Sequence, residues 1–390
     1  MKKIIDTERI PIKLWLDEMD DNTLYQVKNL ANLPFAFKHI ALMPDAHSGY
    51  GMPIGGVMAA DNVIVPNAVG VDIGCGICAV KTDLKIKPNI QKRLKEIVGD
   101  IEKRVPVGFK HHKRAQDEGF MPEGYKVGSM EVVSSEYQSA LRQLGTLGGG
   151  NHFIEIQRDK EGFIWIMIHS GSRNIGKQVA DHYNKLAKKL NKQWNSSVPP
   201  NADLAYLPFT TAEAHKYYQE MNYCIDFALA NRKLMLTRVQ EILSDYFPNI
   251  KFGEMINIAH NYAKWEKHFG KNVVVHRKGA TSAHKGELGI IPGSQGTKSY
   301  IVEGLGNPES FSSCSHGAGR LMGRNEAIRS LSLEHEIRKL DKKGILHSIR
   351  TQRDLDEAPS AYKNITQVMS DQEDLVKIAV ELSPLAVIKG

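Results

Sequence analysis

The residues able to do chemistry in this chain do not cluster. They sit in short glycine-punctuated segments spread from residue 45 to residue 389 of a 390-residue sequence. Glycine lets a backbone turn tightly and approach a ligand closely, and it weakens long regular elements. A site gathered from so much chain calls for one integrated domain, 1–390, rather than two independent ones. No internal repeat, low-complexity tract or Pro/Ser-rich linker divides the sequence.

Between these segments the elements are readable. Ile90, Leu94, Ile97, Val98, Ile101 and Val105 follow a helical period that Pro106 ends. Thr210-Thr211-Ala212-Glu213 reads as a capping box opening a helix to about Leu243, with Tyr218, Met221, Ile225, Ala228 and Leu229 on its buried stripe. Residues 175–192 read as a third helix. Strands are expected at Ile54–Ala60, Ile77–Thr82, His152–Gln157, Phe163–Ile168, Val273–His276 and Ser299–Val302. The mixture is irregular, without strict strand–helix alternation. It predicts an α+β fold of mixed sheets and helices, not a Rossmann arrangement.

Net charge is +7 and the pI is about 9.0, which suits a polyanionic partner such as RNA and equally serves solubility. The start is charged and lacks an apolar signal region, and no apolar stretch is long enough to span a membrane, so a cytoplasmic location is expected. Four cysteines, Cys75, Cys78, Cys224 and Cys314, read as core residues, metal ligands or reactive thiols rather than a disulfide framework. Residues 106–130 and Asn195–Pro200 read as surface loops. The first holds Lys110-His111-His112-Lys113-Arg114, either an RNA-phosphate contact or a solvated face, with the solvated face favoured.

Five residues have metal-ligand chemistry in suitable settings. Asp72 and Cys75 stand three apart among glycines in Val69–Gly76, a carboxylate and a thiolate that a turn can aim at one point. His152 follows a run of three glycines, His169 ends an apolar strand before Ser-Gly-Ser-Arg173, and His260 precedes Asn261. By strand alternation Asn151, Phe153 and Glu155 share a face and His152 points to the other, unless the alternation relaxes near the strand start. One metal needs four ligands, so five ligands fit two ions sharing one, with the Cys75 thiolate as the bridge. Mn²⁺, Zn²⁺, Fe²⁺ and Co²⁺ all suit the donor set.

A second group suits phosphate. Phe311–Arg320 places His316 between a Ser/Cys turn and Gly317-Ala318-Gly319-Arg320, where backbone N–H groups can approach an anion. The histidine can then attack phosphorus or move a proton. Gly289–Tyr300 is a polar glycine loop with Ser294, Thr297 and Ser299, though it lacks the spacing of a Walker A loop. His276-Arg277-Lys278-Gly279, Arg173, Arg320 and Arg324 add cations fitting a triphosphate or an RNA end. Asp45 and His47 read as an RNA-terminus contact, an acid–base pair, or simply a turn.

Taken in order, Val-Asp-Ile-Gly-Cys-Gly76, Gly-Gly-Asn-His-Phe153, His-Ser-Gly-Ser-Arg173 and Ser-His-Gly-Ala-Gly-Arg320 resemble the RtcB family of RNA ligases over nearly the whole chain. The resemblance implies joining of RNA 3′-phosphate or 2′,3′-cyclic phosphate ends to 5′-hydroxyl ends, with GTP and two Mn²⁺. It implies that His316 attacks the α-phosphate of GTP to form a covalent His–GMP. GMP then passes to the RNA 3′-phosphate, and the 5′-hydroxyl displaces it; a cyclic end is first opened by hydrolysis. Asp72, Cys75 and His152 would hold one metal, and Cys75, His169 and His260 the other. The GTP pocket would comprise Asn151, Glu155, Asn261, Pro292, Gly293, Ser294, Gln295, Ser299, Gly317, Ala318, Gly319, Tyr362 and Lys389, with Glu155 on the guanine edge. RNA-end or phosphate contacts would fall to Asp45, Arg173, Arg320 and Arg324. The resemblance also allows an activating partner such as archease, and a monomer is the default. A metal-dependent cyclic phosphodiesterase is the alternative, but it would leave Glu155, Tyr362 and Lys389 without a task. A non-enzymatic RNA-binding protein would leave the ligand set unexplained.

Overall fold

Two large sheets organise the computed structural model, which describes residues 1–390 apart from the side chain of Asn89. One runs Ile256–Ala259, Gly76–Lys85, Phe163–Ser170, Phe153–Asp159, Val376–Lys389, Ser299–Gly304 and Leu288–Ile291, every neighbouring pair antiparallel. The other runs Lys3–Ile5, Ile12–Leu14, Ala36–Tyr50, Met52–Ala60, Lys271–Lys278 and Asn261–His268, with one parallel pairing, Ile12–Leu14 on Ala36–Tyr50. A two-stranded ribbon, Ala280–Ser282 with Ser313–Ser315, lies beside them. Dominant antiparallel pairing makes this an α+β fold, since a Rossmann sheet is parallel.

Six expected strands are present, each longer than its apolar run. In five of them polar ends extend the strand, because ladder hydrogen bonds continue after the apolar face has ended; in Met52–Ala60 the buried Met52-Pro53 does so. Ala36–Tyr50 and Val376–Lys389 have no clear apolar alternation, and only pairing on both sides reveals them as strands.

The helix expected from Ile90 spans Pro88–Arg104, with proline in its first turn, where its missing N–H costs nothing. The long helix is Ala212–Tyr246, capped by Thr211, whose hydroxyl accepts from Ala214 N. The expected capping box at Thr210 is therefore displaced by one residue. The buried stripe is displaced in part: Met221 and Ala228 are buried as expected, joined by Tyr217 and Cys224, whereas Tyr218, Ile225 and Leu229 are half-buried. The reason lies one turn further on. This helix also buries Asn231 and Arg232, which bond the loops of the first sheet, and that fixes its rotation. No helix among the described residues is long and apolar enough to cross a membrane.

Register then gathers the ligands. Gly76 pairs with both Ser170 and Ala259, and Phe153 pairs with His169. Cys75, His152 and His260 each lie one residue outside a strand end on this same edge. His260 is also the single residue between the two sheets, because Asn261 opens the other.

Candidate active site

The four strand-end residues and Asp72 form a chain of close contacts. Asp72 Oδ2 lies 3.1 Å from His152 Nε2, which is 3.4 Å from Cys75 Sγ. Cys75 Sγ is 3.3 Å from His169 Nε2, and that nitrogen is 3.4 Å from His260 Nε2. Two triads result, Asp72–Cys75–His152 and Cys75–His169–His260, sharing the sulfur. His152 escapes strand alternation because the strand starts after it, at Phe153.

Surrounding groups orient these rings. His152 Nδ1 donates to the Leu147 carbonyl at 2.9 Å and His169 Nδ1 to the Asn151 carbonyl at 3.1 Å. Each Nε2 is thereby left as a lone pair aimed at the sulfur, as in metal sites. Behind them, Arg232 donates to the Gly74 and Ser170 carbonyls and Asn231 to the Thr146 and Gly171 carbonyls. Burial pushes His169 and His260 well below the usual histidine range, so both are neutral. Burial and the Asp72 carboxylate push the Cys75 thiol well up. A half-buried carboxylate, a buried thiol and three imidazoles converge here, the donor set that a divalent transition metal takes. Such an ion would hold the sulfur as thiolate, so these residues fit a metal.

Next to the triads His316 follows the ribbon strand Ser313–Ser315, its ring centroid 4.8 Å from that of His260. Asp45 Oδ2 accepts from His316 Nδ1 at 2.6 Å, from His316 N at 3.0 Å and from Gly317 N at 3.2 Å. The anion held by the backbone of this run is thus Asp45 of the same chain. Burial alone would raise the Asp45 carboxyl, but the facing His316 outweighs it and holds it below the usual range. Gly319 completes the turn at φ +73°, where a Cβ would stand 2.1 Å from the Asp45 carbonyl oxygen. With Nδ1 committed, His316 keeps Nε2 free, and the ring lines the adjoining cavity.

That cavity measures about 770 Å³. Among its walls are Asp72, Cys75, His169, His260, Asn151, Glu155, Asn261, Pro292–Gln295, Gly317–Arg320, Arg324, Tyr362 and Lys389. Glu155 is buried on its floor and accepts from Gln157 Nε2 at 2.5 Å. Burial pushes its carboxyl up to about 8, against the pull of Gln157 and the Lys389 ammonium. Lys389 stands 6.0 Å above the Phe153 ring, its ammonium lowered by burial. Ser299 lies behind the wall, its hydroxyl accepting from Gln157 Nε2 and Gly293 N. Also on the wall, near Lys389, Glu357 accepts from Arg320 and Arg324, each at 2.7 Å, and from the Tyr362 hydroxyl.

The chain matches the family model described as tRNA-splicing ligase RtcB over residues 26–390. It belongs to the RtcB family. It is 39% identical to the RNA-splicing ligase RtcB of Escherichia coli K12 over 413 residues, covering 100% of this chain and 99% of that one. It is 33% identical to the tRNA-splicing ligase RtcB of Thermococcus kodakarensis over 461 residues, covering 98% and 95%.

Several RtcB-type positions read from sequence fall elsewhere. Asp45 is fully buried beneath His316, and Arg173 donates to Thr146 Oγ1 and the Gly108 carbonyl, bracing the glycine loop; neither is among the cavity walls. Arg277 is not a free phosphate cation. It is buried, paired with Glu266 and bonded to Ser313 and the Phe311 carbonyl. Glu357 and Gln157 escaped the sequence. Gln157 had a signal, since it lies two residues from Glu155 on one strand face. Glu357 had none, being in a short turn with no local pattern.

Proposed function

We propose that this protein is a GTP-dependent RNA ligase joining a 3′-phosphate or 2′,3′-cyclic phosphate end to a 5′-hydroxyl end through a His316–GMP intermediate. The observation that carries it is a histidine with Nδ1 bound to a buried carboxylate and Nε2 free, between two metal-fit triads and a nucleotide-sized cavity.

The chemistry follows from the residues. The Nε2 lone pair attacks the α-phosphorus of GTP, forming an N–P bond and breaking the bond to pyrophosphate. The positive charge that develops on the imidazole is matched by Asp45 through Nδ1–H. GMP leaves on an oxygen of the RNA 3′-phosphate, and neutral imidazole is regenerated as the leaving group. The 5′-hydroxyl then attacks the RNA phosphorus, loses its proton and expels GMP. A cyclic end first takes up water to become a 3′-phosphate.

Asp72, Cys75 and His152 would hold one divalent cation, and Cys75, His169 and His260 a second, both Mn²⁺ in this reading. Such ions supply charge neutralisation of phosphate and activation of its phosphorus when bound. Ionised Glu155 accepts from the guanine edge, which adenine lacks, and Lys389 lies close enough to favour that ionised form. Arg320, Arg324 and Tyr362 line the cavity, held by Glu357. Residues spread from 45 to 389 converge on this site, which supports residues 1–390 working as a single unit, and a monomer is part of the proposal. The family and the +7 charge support RNA as partner. A cytoplasmic location and an archease-type activator complete the proposal.

The test is ligation of RNA bearing a 3′-phosphate to RNA bearing a 5′-hydroxyl, with Mn²⁺ and either GTP or ATP. A joined product with GTP alone is expected. Opening of cyclic ends without joining would replace this reading with a phosphodiesterase.

A further inference from the structure

The basic run Lys110-His111-His112-Lys113-Arg114 is used by none of the chemistry above. It follows Phe109, which is 100% exposed, the most exposed large apolar side chain of the described residues. Lys110, His111, Lys113 and Arg114 are exposed as well, and none forms an ion pair among the described residues. An exposed aromatic among unpaired cations is the composition that single-stranded nucleic acid requires.

The segment is not a loose tail. Gly108 N donates to the Gly148 carbonyl at 2.8 Å, and the Gly108 carbonyl accepts from Arg173 at 3.2 Å. His112 N donates to the Arg142 carbonyl at 3.0 Å, and the His112 ring lies 2.9 Å from Arg238 Nη1. Gln116 closes the far end, with N to the Leu141 carbonyl and Oε1 accepting from Arg238. Tethers at 108, 112 and 116 hold the backbone while the side chains between them point outward.

Its position is equally specific. Gly148, Gly149 and Gly150 run between this segment and the active site. A Cβ on Gly149 would lie 3.7 Å from Gly108 Cα, and one on Gly150 would lie 2.9 Å from Arg324 Nη2. Asn151, at the cavity wall, follows directly. Gly148 to Asn151 spans at most about 11 Å of chain, the reach of two or so nucleotides.

We infer that Phe109 is a stacking platform for an unpaired base of the RNA substrate close to the reacting ends, with Lys110, Lys113 and Arg114 following the backbone phosphates. The nature of the ligand rests on the RNA-ligase reading; the platform itself rests on exposure, tethering and place. Base stacking tolerates any sequence, so this surface selects single strands over duplexes without selecting a base.

The experiment measures binding of a 5′-labelled single-stranded RNA with a 3′-phosphate, and of a blunt RNA duplex of equal length, without GTP. Phe109→Ala is expected to weaken single-strand binding about 5- to 100-fold and to leave duplex binding unchanged. Phe109→Trp should restore it. Replacing Lys110, Lys113 and Arg114 by serine should flatten the salt dependence of single-strand binding, by about 0.7 in slope per lost phosphate contact. Single-strand affinity of Phe109→Ala within about twofold of wild type would overturn the platform, even if the charge variants weaken binding. Covalent labelling by GTP is followed in the same preparations and should not change in Phe109→Ala. Its absence in every preparation, wild type included, would count against the ligase reading, while the RNA titration would still decide the platform.

Discussion

His316 has one ring nitrogen committed and one free, and its reactivity depends on which. Asp45 makes that choice by accepting from Nδ1 and from two backbone N–H groups at once. Asp45→Asn keeps an acceptor but loses the charge that balances the imidazolium. Its expected effect is a fall of about 10²–10⁴-fold in the rate of His316 guanylylation with GTP affinity retained, read by single-turnover labelling beside calorimetry. An unchanged rate would reduce Asp45 to a turn residue. Glu155 gives a pH signature. Its carboxyl in the free protein is pushed up to about 8 by burial, so below that pH it is mostly protonated. If guanine binds the ionised form, binding must expel a proton. GTP affinity then rises with pH, by up to about tenfold per unit, and levels off above about 8. In Glu155→Gln that slope should vanish, leaving only what the metal ligands contribute. An identical pH profile in the variant would remove Glu155 from the base pocket.

At the scale of elements, the site is an edge where four strands of one sheet end in register. Cys75 is the residue that both triads share, one residue before the strand Gly76–Lys85. Cys75→Ala should lose metal from both triads, so elemental analysis after Mn²⁺ loading should give about two ions per chain for wild type and fewer than one for the variant. Added Mn²⁺ should raise the Tm of wild type and not of the variant. Full occupancy in Cys75→Ala would contradict the shared-ligand assignment. These candidate ligands were legible in the sequence because each sits beside a short Gly, Ser or Asn segment, a local feature, with His260 marked by Asn261. The long strands Ala36–Tyr50 and Val376–Lys389 were not, because their regularity comes from neighbours distant in sequence. Arg277 misled for the same reason: its partner Glu266 lies on the next strand, opposite Val273, and nothing local marks the pair as buried.

For the whole molecule, the last strand runs to the cavity wall. Val376–Lys389 lies between Phe153–Asp159 and Ser299–Gly304, so its final residues deliver the Lys389 ammonium beside Phe153 and near Glu155 and Glu357. Composition and periodicity show none of this; Lys389 was visible only through family resemblance. Removing Lys389 and Gly390 leaves the rest of that strand paired, and should lower kcat/KM for GTP about 10- to 100-fold, the scale of one lost charge-assisted contact, with the fold intact by circular dichroism. Normal kinetics after truncation would detach the strand end from the pocket. Ligation through a guanylylated histidine requires His316 to take up GMP. Purified protein incubated with Mn²⁺ and GTP labelled at the α-phosphate, then denatured and treated with acid or alkali, tests that directly. An acid-labile, alkali-stable label present in wild type and missing in His316→Ala is the predicted result. Label of equal strength in His316→Ala, or none in wild type with both metals bound, would contradict it.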